Sequence, residues 1–308
     1  MVEVQGMNFN LKVSDPIQKN NIVVFFLSAT EKADDNYLSF PESLDQKLVD
    51  ISEINEGGFV GKLKVKNRSN QSLLILGGEQ IIGNKIKQHR IVASTVLIPP
   101  HITVLVNVNC GEQYRWSALL NSNVDVSETL YFSRGNLGKQ YKIWDEIKNL
   151  SDKLRVKTLT SSVEEIYKKR KNNIQEIESF LEPGVHDVGV AIGVNNHIKS
   201  LDIFSSNYML KVYLKKIIRS VALNNFKKIN HKSYLKNNAV HRFLRLIHES
   251  NEQTCNVEEG TLGKRIRFSG ESISGTILYN EKRVVHCSAF IKERMAVGPK
   301  YEYEYNVA

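Results

Sequence analysis

Between residues 21 and 109 the chain carries five short runs rich in Val, Ile and Leu, at 21–28, 59–66, 72–76, 92–98 and 102–109. Each is strand-sized, and such a series fixes much of what the first half can become. Within 59–66, Leu63 and Val65 alternate with Lys62, Lys64 and Lys66, so one face of that strand is wet. In 102–109, Ile102, Val104, Val106 and Val108 share a face that Cys110 continues. Pro99 and Pro100 separate the last two runs, because proline cannot serve a central ladder. A β-rich unit therefore reaches to about Trp116.

The period then changes. Ile143, Ile147, Leu150 and Leu154 predict a helix over 139–156. A second helix is expected from Ser161 or Ser162, with Glu164 and Glu165 three residues on as in a capping box, until Pro183-Gly184 stops it. Residues 188–194 and 197–204 read as a hairpin turning at Asn195-Asn196. A third helix, 207–226, sets Leu210, Leu214, Ile217, Ile218 and Val221 on one side and Lys211, Lys215 and Arg219 on the other. A further helix covers about 236–250, and strands at 264–268, 272–279 and 282–291 finish the chain. The expected fold is α+β: a β-rich N-terminal part, central helices, and C-terminal strands completing a mixed or antiparallel sheet. Residues 1–308 read as a single integrated domain, with 1–116 its β-rich half and 117–308 its helices and last strands.

A chain with 41% hydrophobic residues is too apolar to be disordered. No apolar run approaches the roughly 18 residues of a membrane-spanning helix, and the start of the chain lacks a signal-peptide pattern. Cys110, Cys255 and Cys287 make neither a disulfide framework nor a metal knuckle. A cytoplasmic protein with no membrane partner is expected, and self-assembly into a homo-oligomer stays open. The net charge of +9 is segregated. Residues 1–58 hold ten acids against four bases, whereas 199–245 hold eleven bases and the single acid Asp202, a local +10. That block is either a solvated helix face or a surface for nucleic acid through Lys211, Lys215 and Arg219.

Standard cofactor motifs fail on inspection. Gly260 to Lys264 glances at a phosphate loop, but Glu258 and Arg265 stand where the motif needs Gly and Ser or Thr. His241 and His248 are seven apart, too far to grip one metal.

Residues 73–116 are different. An apolar strand runs into Gly77-Gly78-Glu79, then Gly83, Gln88 and Arg90 follow; the strand at 102–109 runs into Cys110, Glu112, Arg115 and Trp116. Two strands thus each deliver a carboxylate and an arginine past their ends, where scaffolds usually present functional groups. Arginine suits phosphate, carboxylate suits ribose hydroxyls, and indole stacks on a base. The alternative is that Glu79–Arg90 and Glu112–Arg115 are structural ion pairs and Trp116 is core. Gly78, preceding Glu79, would let a ligand approach the backbone. His286 alternates with Val285, Cys287, Ala289 and Ile291, so it is expected to face away from the apolar side. Cys110 with His286 is a third, nucleophilic option, set against an inert buried thiol.

The succession of apolar strand, Gly-Glu, Gly, a basic–Gln–x–Arg step, two apolar strands parted by proline, Cys-x-Glu and Arg-Trp resembles the ARG and rhodanese-phosphatase-superfamily-associated protein domain family, where ARG is ADP-ribosylglycohydrolase. Residues 73–116 carry the specific part, and agreement continues through 188–226 and 267–290. Here Gly83-Asn84 is followed by Lys85-Ile86-Lys87, where the family has Gly-Gly before its step. The resemblance implies a place in NAD and ADP-ribose metabolism, with Glu79, Gln88, Arg90, Glu112, Arg115 and Trp116 as the polar signature. The expected function is binding, with hydrolysis as an open question, of an ADP-ribose or NAD-derived nucleotide. Glu79, Glu112 and His286 would be its catalytic candidates, and Gly78, Gly83, Gln88, Arg90, Arg115 and Trp116 its ligand-binding ones. No cofactor is required by the sequence, although two carboxylates and a histidine could share Mg²⁺.

Overall fold

The computed structural model describes residues 11–30, 37–55, 61–82, 89–111, 125–127, 140–156, 181–225, 235–281 and 283–292. The helix expected from Ser161 or Ser162 lies outside these, as do Gly83, Gln88, Glu112, Arg115 and Trp116.

The fold is α+β and its largest element is an antiparallel sheet of nine strands. Its order is β1 (Leu11–Val13), β3 (Ile22–Ala29), β13 (Asp187–Val194), β14 (His197–Phe204), β18 (Arg283–Ile291), β17 (Ile273–Asn280), β16 (Lys264–Ser269) and β15 (Asn251–Cys255), with β2 (Ile17–Lys19) beside β3. The C-terminal strands thus join strands from the chain's beginning and middle. The central strands are apolar on both faces, so β3 divides its residues between two cores: Ile22, Val24 and Phe26 on one side, Val23, Phe25 and Leu27 on the other. The β13–β14 hairpin turns at Asn195, whose φ of 55° is one that asparagine tolerates.

Two smaller sheets hold a third core. One runs β10 (Val96–Ile98), β7 (Leu73–Ile75), β4 (Leu38–Ser39). The other runs β12 (Asp125–Ser127), β8 (Gln80–Ile82), β9 (Arg90–Val92), β11 (Thr103–Cys110), β6 (Lys62–Asn67), β5 (Val49–Ser52). Alternation works as expected in β6 and β11: Leu63, Val65, Val104, Val106 and Val108 turn into this core, while Lys64 and Lys66 stay exposed. Ile102, ahead of β11, departs from the pattern and is exposed.

Among the described residues, helices are α1 (Phe40–Asp45), α2 (Gln140–Leu154), α3 (Asn207–Asn225) and α4 (Asn237–His248). The apolar side of α4 (Val240, Phe243, Leu244, Ile247) covers one face of the large sheet. On the other face, Met209, Leu210, Leu214, Ile217, Ile218 and Val221 of α3 share a core with the large sheet and with Leu74, Leu76, Ile91 and Leu97 of the smaller sheets. Helix α3 therefore ties the two β assemblies together, and its register decides which of its polar side chains point between them. No described helix is long and apolar enough to cross a membrane.

Two readings of the sequence need correction. Residues 92–98 are not one strand: Val92 ends β9 in the six-stranded sheet, residues 93–95 cross over, and Val96 begins β10 in the three-stranded sheet. Period alone could not reveal this, because an apolar run is equally good at filling two short strands. His286 does not face away from an apolar side either. All of β18 from Val284 to Phe290 is buried, and a register irregularity opposite Leu278 and Tyr279 shifts the alternation at Val285 and His286.

Gly275 marks a very tight strand contact: an added Cβ would meet Ser288 O and Phe268 Cζ, each at 2.2 Å. Gly275→Ala is expected to destabilise the fold by about 2–4 kcal/mol in chemical denaturation, since a backbone carbonyl cannot move aside as a side-chain tip can.

Candidate functional site

Residues 76–79 link β7 to β8 and pack on the crossover at 93–95. Gly77 allows this approach, because a Cβ there would lie 3.0 Å from the Ser94 Cα and 3.1 Å from the Thr95 nitrogen. Gly78 takes a φ of 90°, accessible mainly to glycine, and donates its N–H to Val92 O at 2.7 Å. The turn so formed places the Glu79 carboxylate where water does not reach it, at 0% exposure. Lys216 of α3 reaches in to make an ion pair, Nζ to Oε1 at 2.7 Å, and the Leu76 N–H donates to Oε2 at 3.3 Å.

Tyr213, one helical turn before Lys216, is fully buried beside this pair. Its hydroxyl donates to Leu74 O at 3.0 Å and accepts from the Phe40 N–H at 3.1 Å. Burial, and then the nearby Glu79 carboxylate, hold the Tyr213 phenol well above its ordinary range. Phe204 stacks on the Tyr213 ring with centroids 5.8 Å apart and also meets the His286 ring, tilted, at 4.8 Å.

His286 belongs to the same buried cluster. Its Nε2 lies 3.0 Å from Asp202 Oδ1 on the neighbouring strand β14, and its Nδ1 lies 3.2 Å from Thr95 Oγ1. Thr95 Oγ1 also accepts the Gly77 N–H at 3.1 Å. A second buried pair supports the same crossover: Arg265 donates to Thr95 O at 2.9 Å and to Glu258 Oε2 at 2.7 Å, and Glu258 Oε1 accepts from Asn107 at 3.1 Å. Two of the three catalytic candidates, Glu79 and His286, are thus joined through Leu76, Gly77 and Thr95.

Arg90 sits at the opposite end of the β8–β9 hairpin. Fully buried, it pairs with Glu53 at 3.2 Å and donates from Nη1 to Cys110 Sγ at 3.2 Å. The antiparallel registers bring the end of β5, the start of β6, the end of β8, the start of β9 and the end of β11 to one edge of the sheet. The segments holding Gly83, Gln88, Glu112, Arg115 and Trp116 are joined to this same edge, at Ile82, His89 and Gly111. The ion pairs accordingly differ from those considered from spacing: Glu79 pairs with Lys216, and Arg90 with Glu53. Both ring nitrogens of His286 are engaged by Thr95 and Asp202, and Cys110 meets Arg90.

Lys216, Thr95, Asp202, Glu53, Glu258 and Arg265 were not picked out from the sequence. Asp202 offered a signal, as the lone acid of a basic block and a charge inside an apolar strand. Lys216 offered none, being adjacent to Lys215 in the same block. Of the expected basic stripe, Lys211 and Lys215 are exposed and Arg219 is half-buried. Among the described residues no group of three His, Cys, Asp or Glu side chains could hold a metal ion; Glu112, considered for Mg²⁺, lies outside them.

The architecture defines an α+β protein whose strand-end loops enclose a buried carboxylate–ammonium pair beside a histidine–carboxylate pair. The chain belongs to the ARG and Rhodanese-Phosphatase-superfamily-associated Protein domain family, whose model matches residues 10–290. No curated protein and no solved structure matches it.

Removing Lys216 leaves a carboxylate buried without its partner, so Lys216→Met is expected to cost about 3–5 kcal/mol. The double change Lys216→Met with Glu79→Gln should recover more than half of that loss, which a double-mutant cycle in urea would measure. Alkaline behaviour follows from Cys287, whose thiol burial pushes up to about 12. A raised value in the folded state means full stability below pH about 9, then loss as pH rises toward about 12. In native protein at neutral pH, half-exposed Cys255 should react with iodoacetamide, and Cys287 only after unfolding.

Proposed function

We propose that this protein binds an ADP-ribose-type or other NAD-derived nucleotide, and that hydrolysis of that ligand is the activity served by Glu79. The observation that carries the reading is the convergence of strand ends around Arg90. One edge of one sheet anchors the segments that bear Gln88, Glu112, Arg115 and Trp116. By sequence those segments carry cationic, carboxylate and aromatic residues, the kinds that match the phosphates, ribose hydroxyls and base of a nucleotide. The family's name, with its link to ADP-ribosylglycohydrolase, supports the same ligand class.

In the hydrolytic version nucleotide binding admits one water to the otherwise dry Glu79 carboxylate, which takes its proton as the water oxygen bonds to the ligand's scissile centre and the bond to the leaving group breaks. His286 enters this reading as a positioning residue, held between Thr95 and Asp202. The exposed Lys211 and Lys215 favour a second reading, nucleic-acid binding along the outer side of α3.

Calorimetric titration with ADP-ribose and NAD tests the first reading. Arg115→Gln should weaken binding on the order of tenfold to hundredfold, as expected for a lost charge-assisted contact, without lowering the melting temperature. Glu79→Gln that binds but does not turn over marks an enzyme; wild-type binding without turnover marks a binding protein. Absence of binding to either nucleotide would sink the proposal. Charge reversal at Lys211, Lys215 and Arg219 should leave nucleotide binding intact, and only the second reading predicts that it removes a salt-sensitive affinity for RNA or DNA.

A further inference from the structure

We infer that Asp202, His286 and Thr95 form a positioning relay that fixes the turn at residues 76–79, with His286 held as the tautomer protonated on Nε2. For a neutral ring, the direction of every bond in the relay follows from its Asp202 end. The Gly77 N–H can only donate, so Thr95 Oγ1 accepts it. The Thr95 hydroxyl proton is then free to go to His286 Nδ1, 3.2 Å away. An ionised Asp202 can only accept, which puts the other ring proton on Nε2, 3.0 Å from Oδ1. One neutral imidazole satisfies all three contacts with a single set of protons. A proton on Nδ1 would instead turn that nitrogen into a donor toward Thr95 and displace the hydroxyl proton from its acceptor.

The relay spans the two β assemblies. Asp202 lies on β14 and His286 on β18 of the large sheet, and Thr95 lies on the crossover between the smaller sheets. From the same large sheet, Arg265 on β16 holds the carbonyl of Thr95, so hydroxyl and carbonyl of one residue are gripped from below. The turn bearing Glu79 rests on this residue through Gly77, and Lys216 holds the carboxylate from α3. Asp202, Thr95 and His286 are each nine-tenths buried or more. His286 on this view is a positioning residue that acts through Thr95; the step to function rests on the reading of Glu79 as the working carboxylate.

The test uses the full chain without ligand. Nitrogen-15 correlation spectra of the imidazole rings, with His286 assigned by its loss in His286→Gln, should show Nε2 protonated and Nδ1 bare at neutral pH. Thr95→Val, which keeps shape but removes the hydroxyl, should speed Gly77 amide exchange about tenfold, the worth of one hydrogen bond of roughly 1 kcal/mol. Thr95→Ser should stay within about twofold of wild type. A His286 ring protonated on Nδ1, or Gly77 exchange unchanged by Thr95→Val, would overturn the relay. The wild-type spectrum decides the tautomer even if a variant fails to fold. Failure to bind or hydrolyse nucleotides would refute the proposed function and leave these readings standing. Where turnover exists, Thr95→Val should lower kcat on the order of tenfold to hundredfold with little change in KM, and Thr95→Ser should restore it.

Discussion

The contact between Lys216 and Glu79 sets terms that much of the surrounding structure obeys. A carboxylate without water access is costly unless a counter-charge and hydrogen-bond donors are held against it. Glu79 is on a turn of the smaller sheets, whereas Lys216 is on a helix whose apolar side also packs on the large sheet. Satisfying one charge therefore requires both assemblies to be docked and α3 to have the right rotation. Tyr213 shares that rotation, reaching Leu74 and Phe40 from the preceding turn of the helix. A fold stabilised by apolar burial alone would tolerate small rotations of α3; this arrangement penalises them.

The crossover at residues 93–95 carries the complementary constraint. Leaving one sheet and entering another within three residues frees backbone groups from any ladder, and buried groups of that kind need other partners. The Ala93 N–H bonds to Asn107 O, the Thr95 carbonyl accepts from Arg265, and the Leu97 carbonyl takes the Leu262 N–H. One side chain of the large sheet, Arg265, thus joins backbone neighbours in doing for this segment what a ladder does elsewhere. Gly77 completes the fit from above, because any side chain there would strike the crossover backbone. Why buried charges serve here rather than apolar packing is not a question of stability, since apolar replacements often match such pairs. Their direction-specific bonds are what distinguish them.

The fold class was readable because strand and helix periods are local. The β13–β14 hairpin with its Asn-Asn turn, the helices α3 and α4, and the last three strands all lie where residue spacing places them. Short elements were not readable: β8 lies in a stretch that looked like a polar loop, and α1 follows a Ser39–Glu42 capping pair that passed unremarked among acids. For the site, glycine and charge patterns singled out Glu79 and Arg90 as candidates, yet they gave no hint that the two face different partners at opposite ends of one hairpin. Partners such as Lys216 and Glu53 are set by which strands and helices become neighbours, over separations of 137 and 37 residues. No local pattern encodes that.

The segregated charge acquires a physical meaning from the same geometry. Consecutive residues Lys215 and Lys216 lie about 100° apart around a helix, so one meets solvent and the other turns toward the core. The basic block is thereby two things: an exposed stripe, and a single cation spent on Glu79. The hairpin of β8 and β9 is three residues per strand, roughly 10 Å long. A carboxylate with its lysine is fixed at one end, and an arginine with Glu53 and Cys110 at the other. Each end is thus a carboxylate–cation pair shielded from water, so the hairpin is pinned at both ends by contacts that fix direction as well as distance.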